Sequence, residues 1–359
     1  MPEKNEMLSN DKFDQWLMDQ FVCPVDHVPL IREGNWFINS ANPERRYPIV
    51  NEIPVFLRDD IEHTAWWAKE SLGVAKRIAD GQESLPVSDW NGTGVHPHVQ
   101  AIIDSTGGYL YQACKGKLAE YPIPTIRVAA TTNNQQPTTN NQQPTTNNQQ
   151  PTTNNQLLLD GGCNWGRWTF AAAQKGIQAV GVDPSLGAVV AARQIRQQLN
   201  LPCSFFVGDC RWLPFKPETF SDVYSYSVIQ HFSKTNASTA VNEFRRILRP
   251  AGLCMVQMPN RQGIRSLYHL CKRRFREGDN FDVRYYTPAE LRAMFQKSFG
   301  NSDLTVDGFF GLGIQADDLR FMPLRNRLII KASEALRAAT NWVPPLLNLA
   351  DSLYVHSTR

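Results

Sequence analysis

The chain has 359 residues, 42% of them hydrophobic, which is enough for one large α/β domain beside a smaller one. Its 37 Lys+Arg against 34 Asp+Glu give no basic excess of the kind a nucleic-acid backbone selects, so nucleic acid is disfavoured as a partner. No apolar run approaches the ~18 residues of a membrane span, the polar start MPEKNEMLSND has no signal-peptide core, and seven unpaired-looking cysteines point to reduced thiols, so a soluble cytoplasmic protein is expected.

Residues 1–60 read as a small α+β module. Phe21–Leu30 is FVCPVDHVPL, Asn35–Asn39 is a strand-like NWFIN, and Tyr47–Leu57 is YPIVNEIPVFL. This series resembles the small zinc-ribbon-like methyltransferase activator family, with its C-P-x-C start and Y-P-I-x-x-G-I-P-x-L finish. Here Cys23 and Pro24 are present, but Asp26 stands at the second cysteine and Glu52 at the glycine. The next cysteine is Cys114, so Cys23, Asp26 and His27 do not complete a tetrahedral zinc set. A metal-free module is expected, held by Trp36, Phe37, Ile49, Ile53, Val55 and Phe56.

Residues 61–130 read as a helical cap or linker. Ile61–Gly81 and His98–Leu118 show helical periodicity, with Trp66, Trp67, Tyr109 and Tyr111 among them. Core packing and a role over a ligand pocket are both open for these aromatics. Residues 131–156 then repeat TTNNQQP three times and end on TTNNQ. The tract has no apolar residue to offset its ordering entropy, and Pro at every seventh position blocks a coiled coil, so a disordered insert is expected.

From residue 157 onward, strand and helix patterns alternate. Leu157–Gly166 reads LLLDGGCNWG, a buried strand running into a tight turn and a helix N-terminus. No G-x-G-x-x-G fits it. Gln178–Asp183 is a second strand closing on an acid, Leu186–Asn200 a helix, and Cys203–Asp209 a third strand closing on an acid. Phe220–Ser227 is a fourth strand, Asn242–Leu248 a helix, and Leu253–Met258 a fifth strand behind the turn Arg249-Pro250-Ala251-Gly252. Thr287-Pro288 with Glu290 starts a helix through a capping box. Leu304–Gly313 is a sixth strand, Asn326–Ala338 a helix and Ser352–Ser357 a last strand.

The stretch from Leu157 to Asn260 resembles class I S-adenosylmethionine (SAM) methyltransferases of the type 11 group. The resemblance rests on a D-x-G-x-G-x-G turn with Asn164 at its middle glycine, and on Gly208-Asp209-Cys210 followed by Leu213-Pro214-Phe215. It implies a doubly wound seven-stranded Rossmann-like sheet with the last strand antiparallel. It also implies SAM as cofactor, held by Asp160, Gly162, Asn164, Gly166, Asp183, Asp209 and Cys210. In that reading Asp183 takes the ribose hydroxyls and Asp209 the adenine amino group.

Asp222 reads as structural, and Trp165 and Trp168 as packing around the turn. His231, in Ser227–Phe232 just after the fourth strand, is the candidate general base; Arg284, Tyr285 and Tyr286 are lesser pocket candidates. The expected function is methyl transfer to an O, N or C acceptor on a small-molecule, lipid-linked or glycan substrate, with no metal. A methyltransferase of tRNA or a translation protein, and a non-catalytic SAM-fold binding protein, are the alternatives. Oligomeric state is not written in the chain.

Overall fold

The computed structural model describes residues 10–85, 89–106, 109–127, 156–311 and 313–359. Of the repeat expected to be disordered, all but Gln156 lies outside these residues.

The N-terminal module begins with helix α1 (Asn10–Met18) and continues into four antiparallel strands, β1 (Leu30–Glu33), β2 (Trp36–Asn39), β3 (Arg46–Val50) and β4 (Ile53–Pro54), paired in that order. The turn between β3 and β4 uses Asn51 and Glu52 at φ 47° and 62°. Glu52 thus occupies a left-handed position that glycine would take without strain. Its carboxylate grips the Arg32 guanidinium in two hydrogen bonds of 2.7 and 2.9 Å. Cys23 and Asp26 are hydrogen-bonded within the module. The Cys23 thiol lies 3.3 Å from the Tyr47 hydroxyl, and Asp26 accepts from Asn39 and Arg45.

Helices α2 (Trp66–Ala79), α3 (Pro97–Ser105) and α4 (Tyr109–Cys114) follow, shorter than the periodicity predicted. Then come β5 (Leu157–Gly161), α5 (Arg167–Gln174), β6 (Gln178–Asp183), α6 (Leu186–Leu199), β7 (Cys203–Val207), β8 (Phe220–Tyr226), α7 (Lys234–Ile247) and β9 (Leu248–Pro259). The chain ends with α8 (Ile264–Lys272), α9 (Pro288–Phe299), β10 (Asp303–Gly308), α10 (Leu324–Ala339) and β11 (Ser352–Thr358). Helix α7 starts eight residues before the predicted Asn242 because Ser233 caps it, accepting from the Asn236 amide at 3.2 Å. The capping box of Thr287 and Glu290 on α9 forms as predicted.

The seven-stranded sheet has the order β10-β11-β9-β8-β5-β6-β7. Strands β5 to β9 are mutually parallel, and β11 is antiparallel to both of its neighbours. Order and direction match the expected doubly wound sheet. Alternate side chains feed two cores, one per face. Leu157, Leu159, Val180 and Val182 pack with α7, α9 and the N-terminal module. Leu158, Ala179 and Phe205 pack with α2, α3, α5 and α6.

The module also covers the sheet edge at β7. Val55 bridges Val207, the Phe56 amide donates to the Val207 carbonyl at 2.8 Å, and Val22 donates to Pro214 at 2.9 Å. Phe21, Phe37, Phe56, Phe206 and Phe215 form one aromatic cluster across this seam, with ring centroids 4.8 to 6.3 Å apart. An exposed edge strand invites foreign pairing, and this seam removes it.

Candidate active site

The site lies beyond the carboxyl ends of β5, β6 and β7, beside the turn that leads into α5, where open α/β sheets hold ligands. Gly162, Asn164 and Gly166 have φ values of 82°, 49° and 93°. A Cβ on Gly162 would fall 2.2 Å from Val228, and one on Gly166 2.8 Å from Phe170. These two glycines are therefore required by close approach as well as by φ. The middle position tolerates asparagine because it is left-handed and open.

The turn is tied to β6. The Gly162 and Cys163 amides donate to the Val182 carbonyl at 2.8 and 2.9 Å, and the Asn164 amide donates to Asp183 Oδ2 at 2.9 Å. Asp183 Oδ1 accepts from the Ser185 amide, also at 2.9 Å. Burial raises the Asp183 pKa to about 6, against the opposing pull of the Ser185 and Asn164 amides.

A cavity of about 760 Å³ opens over this turn. Its floor includes Gly162, Asn164, Asp183, Asp209 and Cys210; its walls include His63, Trp66, Trp67, His98, Tyr111, Trp168, Tyr226, His231 and Phe281. Five of the seven cofactor residues read from sequence therefore meet in one space, together with His231. Trp165 and Trp168 line the cavity as well as packing. The other two cofactor residues stand behind the surface. Gly166 is the N-cap of α5. Asp160, 1% exposed, accepts a 2.7 Å hydrogen bond from the Thr169 hydroxyl, and burial raises its pKa to about 7. This hydrogen bond ties the first turns of α5 to the end of β5.

Asp209 lines the cavity with its carboxylate held from one side. Arg211 grips its carboxylate with Nη2 at 2.7 Å and Nε at 3.0 Å, and the Arg211 amide adds 2.9 Å. Burial pushes this carboxyl up, yet His63 and Arg211 outweigh it and hold the pKa below its usual value. His63 was not singled out by sequence. Its Nε2 lies 2.7 Å from the Arg58 carbonyl, so that nitrogen carries hydrogen and donates. Its Nδ1 faces Asp209 Oδ2 at 3.7 Å, fully buried and without a hydrogen-bond partner among the described residues.

His231 is fixed in a defined tautomer. Nδ1 lies 2.7 Å from the Phe281 carbonyl and donates to it, while the ring stacks on the Phe281 ring at 4.0 Å. Nε2 is left as the acceptor, with only a long 3.4 Å approach from Gln230. Burial lowers the His231 pKa, Arg284 acting the same way and the Phe281 carbonyl opposing, so the imidazole is neutral near pH 7.

Arg284, Tyr285 and Tyr286 do not line the cavity, which corrects their reading as pocket residues. Arg284 donates to the His231 carbonyl at 2.6 Å, and Tyr286 is a core residue 2% exposed, because the extended segment pairs Tyr286 with Asn260 and turns it inward. Asp222 is structural as read, accepting from Ser221 at 2.7 Å. No group of three or more His, Cys, Asp or Glu among the described residues is placed to hold a metal.

Residues 158–252 match the family described as a methyltransferase domain. A human protein described as probable tRNA methyltransferase 9B is 35% identical over 101 residues, which is 28% of this chain and 20% of that protein. The chain thus spans about a fifth of the length of the curated relative it matches. Similar solved structures include a SAM-dependent methyltransferase from Thermotoga maritima, described as a possible histamine N-methyltransferase, at 16% identity and TM-score 0.38, covering 56% of this chain and 81% of that one. A Haloferax volcanii complex of a methyltransferase activator with a putative methyltransferase matches at 19% identity and TM-score 0.38, over 56% of this chain and 81% of that one. A phosphoethanolamine N-methyltransferase from Haemonchus contortus, solved with SAM, matches at 18% identity and TM-score 0.39, over 57% and 48%. With strands β5 to β9 in the expected order and the family match laid over them, the chain carries a methyltransferase domain.

Proposed function

We propose that the protein methylates an O, N or C acceptor on a small-molecule, lipid-linked or glycan substrate, with His231 as the general base. The observation that carries this reading is the His231 imidazole, which lines the cavity and donates through Nδ1 to the Phe281 carbonyl, leaving Nε2 as the acceptor. Bound SAM supplies a sulfonium methyl that is already electrophilic. The protein's task is then to align the acceptor and exclude water, which contributes roughly 7–11 kcal/mol.

In this reading Asp183, held by two backbone amides, keeps acceptor capacity for the ribose hydroxyls. The adenine amino group is received by Asp209, whose carboxylate Arg211 holds in place. Trp66, Trp67 and Phe281 shield the acceptor from water. As the acceptor takes the methyl group, its proton passes to Nε2 of His231. The near balance of Lys+Arg and Asp+Glu supports a substrate other than RNA.

The test is transfer of labelled methyl from SAM into a cell extract, followed by separation of lipid, small-molecule, RNA and protein fractions. Label in the lipid or small-molecule fraction is expected. Label confined to RNA or protein would replace the acceptor reading with the translation-related one, and no label with intact SAM binding would leave a binding protein.

A further inference from the structure

Helix α8 wears its apolar stripe on the outside. Ile264, Leu267, Tyr268 and Cys271 fall at i, i+3, i+4 and i+7, the repeat that a globular helix turns to its core. In this helix Ser266 and Leu270 face inward, while Ile264, Leu267 and Tyr268 are 56, 42 and 64% exposed. Around the stripe the charge is one-sided. Residues 261–277 carry Arg261, Arg265, Lys272, Arg273, Arg274 and Arg276 against Glu277 alone, in a chain that is otherwise nearly balanced. Arg273 reaches Asp282 at 3.5 Å, whereas Arg261, Lys272, Arg274 and Arg276 have no ion pair among the described residues.

The end of the helix adds a third observation. Arg274 and Phe275 sit at φ 54° and 59°, a region costly for both residue types. The strain is not repaid by packing, because the Phe275 ring is 55% exposed between two arginines. The chain then runs to Phe281, which lines the cavity and is itself 42% exposed.

We propose that α8 and the turn after it dock on the surface of a lipid bilayer rich in anionic headgroups. Aliphatic Ile264 and Leu267, with Tyr268 and Phe275, enter the headgroup–acyl boundary, and the flanking cations meet the lipid phosphates. The combination chooses the partner. Cations alone would suit RNA, but an aliphatic stripe gains nothing from a phosphate backbone. A bare apolar stripe would suit a protein groove, but the cations around it complement a negative plane. Docked this way, the Phe281 side of the cavity lies next to the membrane.

Flotation of the full chain with vesicles tests this, using phosphatidylcholine alone and phosphatidylcholine with about a third phosphatidylglycerol. Binding to the anionic vesicles is expected, with little to the neutral ones. Both Ile264→Ser/Leu267→Ser and Lys272→Glu/Arg274→Glu should weaken it at least about tenfold. SAM affinity, measured by calorimetry in the same variants, should stay unchanged and report that each is folded. Absence of anionic-vesicle binding overturns the proposal, as does undiminished binding by the folded Ile264→Ser/Leu267→Ser variant. Binding to homopolymeric RNA that depends on the cations but not on the stripe also overturns it, in favour of nucleic acid. None of these outcomes bears on methyl transfer.

Discussion

The floor and the wall of the cavity are built on opposite plans. The floor is backbone-fastened: Asp183 is held by two amides, Gly162 and Cys163 are tied to Val182, and Asp209 is clamped by Arg211. The wall is made of side chains from α2, α3 and α4, from Trp168, Tyr226, His63 and His231, and from the segment around Phe281, with ring contacts such as Trp67 on Phe281 at 4.8 Å and His231 on Phe281 at 4.0 Å. A floor of that kind suits an invariant ligand, whereas a wall of stacked rings is free to differ with the acceptor. The expected division is that floor residues govern SAM affinity and wall residues govern turnover.

The largest test of that division is His231→Ala. Turnover should fall about 10²–10⁴-fold, the range for a lost general base, with SAM affinity nearly unchanged. Because the His231 pKa is lowered, the wild-type rate should fall only on the acid side of the usual imidazole value, and the variant should lose that limb. A turnover within a few fold of wild type, measured by methyl release from SAM, would make His231 a packing residue.

Asp183→Ala comes next. It should weaken binding of SAM and of its demethylated product by roughly 1.5–3 kcal/mol, the scale of hydrogen bonds to a charged group. The same carboxyl gives a pH signature. With its pKa near 6 in the free protein, affinity should be constant above that point and decline as pH falls through it, because the protonated form accepts fewer hydrogen bonds. Calorimetry across pH 5 to 8, a window about one unit either side of 6 and 7, checks both statements. An affinity that ignores the mutation and the pH would break the assignment of the floor.

Asp160→Asn separates fastening from ligand contact. The folded chain keeps a proton on Asp160 up to about pH 7, while an unfolded chain loses it at the usual carboxylate value. Stability from this group is therefore greatest below about pH 4 and declines as pH rises toward 7. Asparagine still accepts from Thr169 and carries no charge, so at pH 8 the variant should melt at or above the wild-type temperature and bind SAM equally. A large loss of SAM affinity would return Asp160 to the ligand.

The smallest effect belongs to the repeat. It spans residues 131–156, and the described chain before it meets the end of α5, where Lys175 donates to the Ile126 carbonyl. That is the amino edge of the sheet, away from the cavity. Removing two TTNNQQP units should change stability by about 0.6 kcal/mol or less and leave SAM affinity unaltered. A thermal melt and a titration suffice; lost SAM binding would bring the tract to the cavity.

The floor was legible in the chain because its chemistry is local. A strand, an acid and a left-handed turn are written in consecutive letters, and Asp160, Asp183 and Asp209 recur at strand ends. What those letters do not carry is the partner of each acid. Asp160 and Asp209 look alike in sequence, yet one is taken by Thr169 and the other by Arg211. The wall was mostly illegible because its residues come from segments far apart in the chain. His63 stands alone in an IEHT stretch, and nothing local says that its ring faces Asp209. The paired Trp66-Trp67 at a helix start, Tyr111, Trp168 and His231 were the hints available. Arg284 and Tyr286 were misread because an extended segment shows no preferred face until its pairing with Asn260 is known.

The seam between Val55 and Val207 has a consequence for how the protein is made. During synthesis the module leaves the ribosome first, and the strand it must cover follows about 150 residues later, tens of seconds at the slower elongation rates. Through that interval Phe21, Phe37 and Phe56 wait without their partners Phe206 and Phe215. Until β7 arrives these rings have no cover from it, and a fragment ending before Cys203 should aggregate more readily than the full chain.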